Sequence, residues 1–330
     1  MNLTGSRLTG ILAALSSAFF LGFAPIFGKI AINFGMPALA VVGIRTVLAA
    51  LLVFVVIAIF KRQFLYIYPA GLLGCLLAGG VNGFGSLLYY GALARIPANL
   101  GQLLYALYPL FVLIWLWLDR QPPSRLTLLR LLLVLPGVVL LTYRLNPNSG
   151  PVDLLGVGMM LGASALYALH LPINQRVLFD MPAPTVTLYT LIAMSLVVAP
   201  AYAISVFIFK TPNIFGGELA ASVSQAIWPV MGLTLITFFS RLTLFMGVKH
   251  LGGMQTALLG LGELLVALIF SQALLGESLT LVQWIGAGII FAALALMLME
   301  KSPTPKRFQS GWLVWLRPPG LPGDIRWPLD

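Results

Sequence analysis

One carboxyl group lies deep inside an apolar segment, where a charge needs a partner or a polar cavity. Glu263 stands about ten residues into a segment covering 254–275, roughly half the depth of a membrane-spanning helix. Apolar surroundings disfavour the charged form of a carboxyl group, so Glu263 is a candidate for proton exchange or cation binding. The alternative is a structural ion pair with Arg241, and the two roles can coexist.

Three cations occupy comparable positions within apolar segments. An ionisable residue in such a segment normally faces a cavity or a partner. The guanidinium of Arg241 suits either a substrate carboxylate or Glu263. Lys29 and Arg45 lie toward the segment ends that we place on the outer side of the membrane, from which long side chains extend to the interface. Structural anchoring is therefore the favoured interpretation of these two residues.

Polar and aromatic side chains are concentrated in two otherwise aliphatic segments, covering 68–93 and 98–118. Gln102, Tyr105 and Tyr108 recur every three residues and so share one face of a helix. Tyrosine rings with hydroxyl groups suit amphipathic organic substrates. An aromatic belt at the membrane interface is the alternative, and it applies best to Tyr89 and Tyr90. The candidates for substrate binding are Asn82, Gln102, Tyr105, Tyr108, Tyr167 and Arg241.

The remaining reactive residue types indicate structural roles. His170 precedes Asn174 by one helical turn, and packing is its expected role. With His250 as the only other histidine and no cluster of carboxylates, we expect neither a metal site nor a cofactor. The single cysteine, Cys75, excludes an intramolecular disulfide. The sequence contains no Walker-type nucleotide loop, and no nucleophile paired with a base at membrane depth, so an enzyme is disfavoured.

The composition explains why so many residues must lie within a membrane. Of 330 residues, 60% are hydrophobic and 8% are charged, against roughly 25% charged in soluble domains. Apolar runs bounded by charges, proline or glycine predict ten transmembrane helices. They cover 8–33, 37–60, 68–93, 98–118, 126–143, 154–179, 184–209, 226–248, 254–275 and 279–299.

The net charge of +10 is distributed between these segments rather than clustered as in a nucleic-acid binder. Lysine and arginine accumulate in cytoplasmic loops, which predicts a cytoplasmic-membrane protein with both termini in the cytoplasm. Cations assigned to that side include Arg7, Lys61, Arg130 and Arg176. The basic, proline-rich tail 301–330 is too short to span; it lies on the inner leaflet or is disordered.

Internal matches predict that the ten helices form two repeats. Lys29 corresponds to Arg176, Asp119 corresponds to Glu277, and residues 92–96 correspond to 247–251. We therefore expect repeats over 1–147 and 148–300, followed by the tail. Five helices per repeat force the two halves to enter from opposite sides, so the fold is an all-α polytopic membrane protein with inverted repeats. Such pairs hold a substrate site near the midplane, and the alignment brings Tyr108 near Glu263.

The order of these features resembles the drug/metabolite transporter superfamily, specifically its ten-helix EamA-type transporters. The resemblance extends to about Glu300 and includes Lys29, Arg45, Pro109 and a closing motif over 274–279. Gly262 and Glu263 replace a proline often found in the ninth helix. The resemblance implies a secondary exporter of small metabolites that works by alternating access. The favoured substrates are amino acids or related metabolites, and the driving force is a proton gradient or a substrate gradient. A channel and an intramembrane enzyme remain the alternatives, and the chain is a monomer or a homodimer.

Overall fold

The computed structural model describes residues 3–93, 95–96, 101, 104–121, 123–142, 153–209, 220–275 and 280–296, and these ranges contain helices and turns but no strand. A 3-10 turn covers Arg62–Leu65. The α-helices, numbered α1 to α11 in chain order, are Leu3–Asn33, Ala38–Phe60, Pro69–Leu93, Tyr108–Leu118, Arg125–Thr142, Leu154–Asp180, Ala183–Phe209, Ala220–Leu251, Gly253–Gly260, Gly262–Leu275 and Leu281–Ala295.

The surface of the bundle is apolar, as expected for a protein surrounded by lipid. Six of the described helices, α1 to α3 and α6 to α8, are long and apolar enough to cross a membrane. Large side chains such as Phe54, Phe60 and Phe207 are exposed, whereas Thr46, Asn174 and Thr190 are buried. Polar groups therefore face inward, where other helices satisfy their hydrogen bonds, and aliphatic groups face outward.

Several helix contacts made by one half of the chain have counterparts made by the equivalent helices of the other half. Helix α1 packs on α8 as α6 packs on α3, and α2 packs on α8 as α7 packs on α3. Helix α1 contacts α10 as α6 contacts α4, while α2 meets α7, α5 meets α11, and α4 meets α9. If α4 is taken as part of the predicted span 98–118, and α9 and α10 as parts of the predicted span 254–275, the exchange of halves maps each of these contacts onto another of them or onto itself. The arrangement therefore has the pseudo-two-fold pattern expected of a repeated unit.

Two of the predicted helices are broken near their middle, which the sequence interpretation did not anticipate. The segment predicted as one helix over 98–118 has a turn at Ala106 and Leu107, and α4 begins at Tyr108. The segment predicted over 254–275 is divided at Leu261 into α9 and α10. The same type of hydrogen bond, between residues three apart instead of four, marks both breaks: Leu107 N–H donates to Leu104 O, and Leu261 N–H donates to Leu258 O.

Each break frees a carbonyl group that a side chain from the other half satisfies. Tyr105 O has no helical donor because residue 109 is proline, and Ser164 Oγ of α6 donates to it at 3.0 Å. Ala257 O would normally accept from Leu261 N–H, which is diverted to Leu258, and Tyr108 Oη donates to it at 2.9 Å. The two halves therefore complete each other's interrupted helices.

Glycines allow the closest approach between α3 and α7. A Cβ added to Gly79 would lie 2.5 Å from Ala193 Cβ, and one added to Gly83 would lie 2.8 Å from Val197 Cβ. Both contacts are too short for any side chain, so this small-residue pair packs two helices together. Gly158 and Gly162 of α6 are also four residues apart, but a Cβ on Gly158 would meet nothing within 4 Å.

A buried ion pair joins the end of α4 to the end of α6. Arg176 Nε and Nη2 both donate to Asp119 Oδ2, at 3.0 and 2.6 Å, and Gln121 Nε2 donates to the same oxygen at 2.7 Å. The Asp119 side chain is fully buried. Arg130 of α5 is also buried and donates to Gln255 Oε1 at 2.9 Å. These cations, predicted only as orientation signals, form bonds inside the bundle.

Asp153 caps the first helix of the second half at the protein surface. Its Oδ1 accepts from Leu155 N–H at 2.9 Å and Gly156 N–H at 3.4 Å, and its Oδ2 accepts from Arg95 Nη1 at 3.1 Å. The hydrogen bond from Arg95 and those from the helix N–H groups lower the pKa of this carboxyl group. An aspartate at this position therefore stabilises the start of α6.

Candidate functional site

Five tyrosines from both halves form a continuous aromatic cluster at the two helix breaks. This tyrosine cluster consists of Tyr89, Tyr90, Tyr105, Tyr108 and Tyr167. Tyr105 is central: its ring centroid is 4.9 Å from that of Tyr89, 6.1 Å from Tyr108 and 5.5 Å from Tyr167. Tyr108 and Tyr167 meet edge to face at 5.1 Å. Three predicted substrate ligands, Tyr105, Tyr108 and Tyr167, therefore lie together.

Glu263 lies within electrostatic range of the tyrosine cluster. It stands in the first turn of α10, directly after the second helix break, and its carboxyl group interacts electrostatically with the hydroxyls of Tyr105, Tyr108 and Tyr167. The N–H groups of a helix's first turn favour a negative charge at this place. Helix α1 packs tightly behind it, because a Cβ on Gly22 would lie 2.9 Å from Glu263 O. The break thus presents a carboxyl group to the cluster.

Arg241 of α8 lies beside the Tyr167 ring of the same cluster. Its Cζ is 6.0 Å from the ring centroid of Tyr167, and it interacts electrostatically with Glu263 and Tyr105. Within the described part of the chain, neither Arg241 nor Glu263 makes a hydrogen bond or salt bridge. The alternative of a direct structural pair between them is therefore not realised in this conformation.

His170 is buried beside Tyr167, one turn along α6. Its Nδ1 donates to Tyr167 O, its ring lies 4.7 Å from the Tyr167 ring, and it interacts electrostatically with Arg241. Its Nε2 is buried and has no hydrogen-bond partner among the described residues. The sequence predicted a packing histidine with satisfied hydrogen bonds, and only one of the two ring nitrogens fits that description.

Arg45 of α2 lies against the other end of the tyrosine cluster. Its Cζ is 5.9 Å from the Tyr90 ring centroid, and it interacts electrostatically with Tyr89. Its Nε is buried and, among the described residues, makes no hydrogen bond. The sequence favoured a side chain that extends to the membrane interface, whereas here the guanidinium folds over an aromatic ring. No signal in the sequence indicated that Arg45 and the tyrosines converge.

The remaining predicted site residues are Asn82, Gln102 and Lys29, of which only Asn82 has a described side chain. Asn82 is buried in α3, where its Nδ2 lies 3.5 Å from Met194 Sδ of α7, so this side-chain contact is with a packing residue. Gln102 and the side chain of Lys29 are outside the described residues. Within the described ranges no group of three His, Cys, Asp or Glu side chains is placed to hold a metal ion.

The comparisons with known proteins agree with this architecture. The sequence profile of the EamA-like transporter family matches twice, over residues 8–143 and 154–299. A crystal structure of another protein superimposes with a TM-score of 0.68 at 15% sequence identity, covering 89% of this chain and 97% of that one. This low identity limits the likeness to the fold. No curated protein sequence matches the chain significantly.

Proposed function

Because the chain belongs to the EamA-like transporter family, we propose that it is a secondary carrier that exports small metabolites such as amino acids. It works by alternating access across the cytoplasmic membrane, with ten helices in two inverted repeats and both termini in the cytoplasm. The substrate lies in the tyrosine cluster, between Glu263 and Arg241. Proton exchange at Glu263 is the proposed source of coupling.

One observation carries this proposal: the tyrosine cluster, Glu263 and Arg241 are contributed by both halves and meet at two helix breaks. Interrupted helices expose backbone groups and concentrate polar side chains at membrane depth, which is where inverted-repeat carriers bind substrate. Aromatic rings offer apolar contact area, while hydroxyls, a carboxyl group and a guanidinium fix orientation. A site shared by both halves also opens to one side at a time when the halves rock.

Counterflow in proteoliposomes tests this proposal. Purified protein is reconstituted with an unlabelled candidate amino acid inside, and accumulation of labelled amino acid from outside is measured. A carrier gives saturable, transient accumulation, because exchange requires the site to alternate. A channel gives unsaturable flux without accumulation, and an intramembrane enzyme converts the label to product.

The same assay locates the site through variants on either side of the first helix break. Tyr105→Ala is expected to raise the half-saturating substrate concentration about tenfold, since an aromatic contact and its packing are lost. Trp117→Ala is the matched control, because Trp117 is exposed on α4, the helix that follows the break. Equal kinetics in both variants would place the substrate away from the tyrosine cluster.

A further inference from the structure

Four rings of the tyrosine cluster form a path of successive contacts with an arginine at each end, and the fifth ring, that of Tyr108, contacts the last two. From Tyr90 the rings continue to Tyr89 at 5.2 Å, to Tyr105 at 4.9 Å and to Tyr167 at 5.5 Å. Arg45 lies over the first ring and Arg241 over the last. The path begins in the first half, on α2 and α3, and ends in the second half, on α6 and α8. Its two guanidiniums therefore mark separate positions for a charged group.

The balance of charge along this path is positive. Among its described side chains, two guanidiniums face one carboxyl group, that of Glu263. Arg45 and Arg241 make no ion pair or hydrogen bond within the described ranges, and Arg45 Nε is buried as well. A guanidinium inside an apolar bundle normally pairs with an anion. The rings of Tyr90 and Tyr167 supply only part of that stabilisation.

We propose that Arg45 forms a second anion-binding position for the substrate, at the opposite end of the tyrosine cluster from Arg241. This inference rests on the proposed carrier function and names the substrate class, which is an organic carboxylate with an aromatic or amphipathic body. A guanidinium binds a carboxylate through two parallel hydrogen bonds, and the tyrosine rings contact the apolar body. A zwitterionic amino acid belongs to this class through its carboxylate. An amine without a carboxylate does not.

Three probes with the same aromatic body separate charge from shape. These are 4-hydroxyphenylacetate, its amide and tyramine, which carry charges of about −1, 0 and +1 at neutral pH. Binding of each labelled probe to the purified full-length protein in detergent is measured by equilibrium dialysis. The expected order of affinity is carboxylate, then amide, then amine.

Variants of Arg45 test its assignment directly. Arg45→Gln is expected to weaken carboxylate binding about tenfold, because a charge-assisted hydrogen bond is lost, while amide binding stays unchanged. Arg45→Lys should recover part of the loss, since it keeps the charge but not the planar fork. The matched control is Arg62→Gln, which removes an exposed arginine outside the cluster and should leave all three affinities unchanged. Unchanged amide binding also shows that the variant is folded.

Several results would overturn the assignment. They are an unchanged carboxylate-to-amide ratio in Arg45→Gln, equal losses for both probes, tightest binding of tyramine, and no binding of any probe at millimolar concentration. Counterflow separates this inference from the carrier proposal. If counterflow is saturable but the carboxylate-to-amide affinity ratio is unchanged in Arg45→Gln, only the anion position is contradicted. If that ratio changes but no counterflow is seen, only the carrier proposal is contradicted.

Discussion

At the scale of single residues, Glu263 is the group to which we assign proton exchange in the proposed carrier. Its carboxyl group has no hydrogen bond or ion pair among the described residues, yet it interacts electrostatically with Arg241 and four tyrosines of the cluster. A carboxyl group held by strong fixed bonds could not change protonation without breaking them. We propose that Glu263, which lacks such bonds among the described residues, binds a proton in one step of the transport cycle and a substrate cation in another.

Glu263→Gln is expected to abolish transport driven by a pH gradient and to spare exchange. Glutamine keeps the shape of the side chain but cannot gain or lose a proton. Uptake into proteoliposomes driven by an imposed pH gradient should fall at least about tenfold, while counterflow at symmetric pH continues. Asp153→Asn is the control, because Asp153 is a surface carboxylate that caps a helix. Unchanged gradient-driven uptake in Glu263→Gln would remove this residue from coupling.

The sequence predicted part of this site. Repeat alignment brought Tyr108 near Glu263, and the three-residue spacing placed Tyr105 and Tyr108 on one face. The rings of Tyr105 and Tyr108 are in contact in the structure, although a turn separates the two residues along the chain. Arg45 and His170 were assigned structural roles, because the sequence does not show which neighbouring helix a single polar residue in an apolar segment will contact. Only the packed structure reveals their atoms without partners.

At the scale of helices, the two breaks are the features that the sequence pattern concealed. Apolar residues continue without interruption through both, so the pattern predicted continuous spans. Pro109 marks the first break through its missing N–H. The second has no proline, and its position follows from Gly260, which leaves room for the Tyr108 hydroxyl: a Cβ there would lie 2.5 Å from Tyr108 Oη. The symmetry of the breaks was detectable only once their hydrogen bonds were known.

Adjacent glycines in α3 provide a matched test of helix packing. Gly79→Ala is expected to lower the free energy of unfolding by roughly 1–3 kcal/mol, because its methyl group would overlap Ala193 Cβ of α7. Gly80→Ala should be neutral or slightly stabilising, because a Cβ at Gly80 meets nothing within 4 Å and alanine is the better helix former. Thermal unfolding in detergent measures both. Equal midpoints for the two variants would contradict the close packing of α3 on α7.

At the scale of the whole molecule, two kinds of interaction join the halves. These are helix contacts related by the pseudo-two-fold arrangement and a buried ion pair. Asp119 belongs to the first half and Arg176 to the second, and three short hydrogen bonds meet at one carboxylate oxygen. In the sequence analysis Arg130 served only to indicate orientation, and Arg176 served to indicate orientation and to align the repeats. Counting charges cannot distinguish a loop cation from one buried in the bundle, because both lie near the ends of apolar segments.

Asp119→Asn is expected to destabilise the folded protein by roughly 3–5 kcal/mol. The loss is large because Arg176 would remain buried without its counter-charge. Replacing both partners, as in Asp119→Leu with Arg176→Met, should recover most of the stability. Thermal unfolding of the two variants measures the difference. A double variant as unstable as the single one would indicate that the pair fixes the position of α4 on α6 rather than neutralising a buried charge.

The inverted arrangement makes a separate prediction about sidedness. Reporters fused after Asn148 and at the C-terminus should lie on opposite sides of the membrane, because five helices separate them. A reporter pair such as alkaline phosphatase, active outside, and green fluorescent protein, fluorescent inside, distinguishes the two sides. Activity on the same side at both positions would contradict antiparallel halves and the proposed alternation with them.

The crossed hydroxyl bonds at the helix breaks have a consequence for synthesis. Ser164 donates a hydrogen bond to a backbone carbonyl of the first half, and Tyr108 donates one to a backbone carbonyl of the second half. Until the second half has been inserted, Tyr105 O in the first half therefore lacks its side-chain donor. We expect the two halves to fold cooperatively, which translation as one continuous polypeptide favours by keeping the partner nearby and in equal amount.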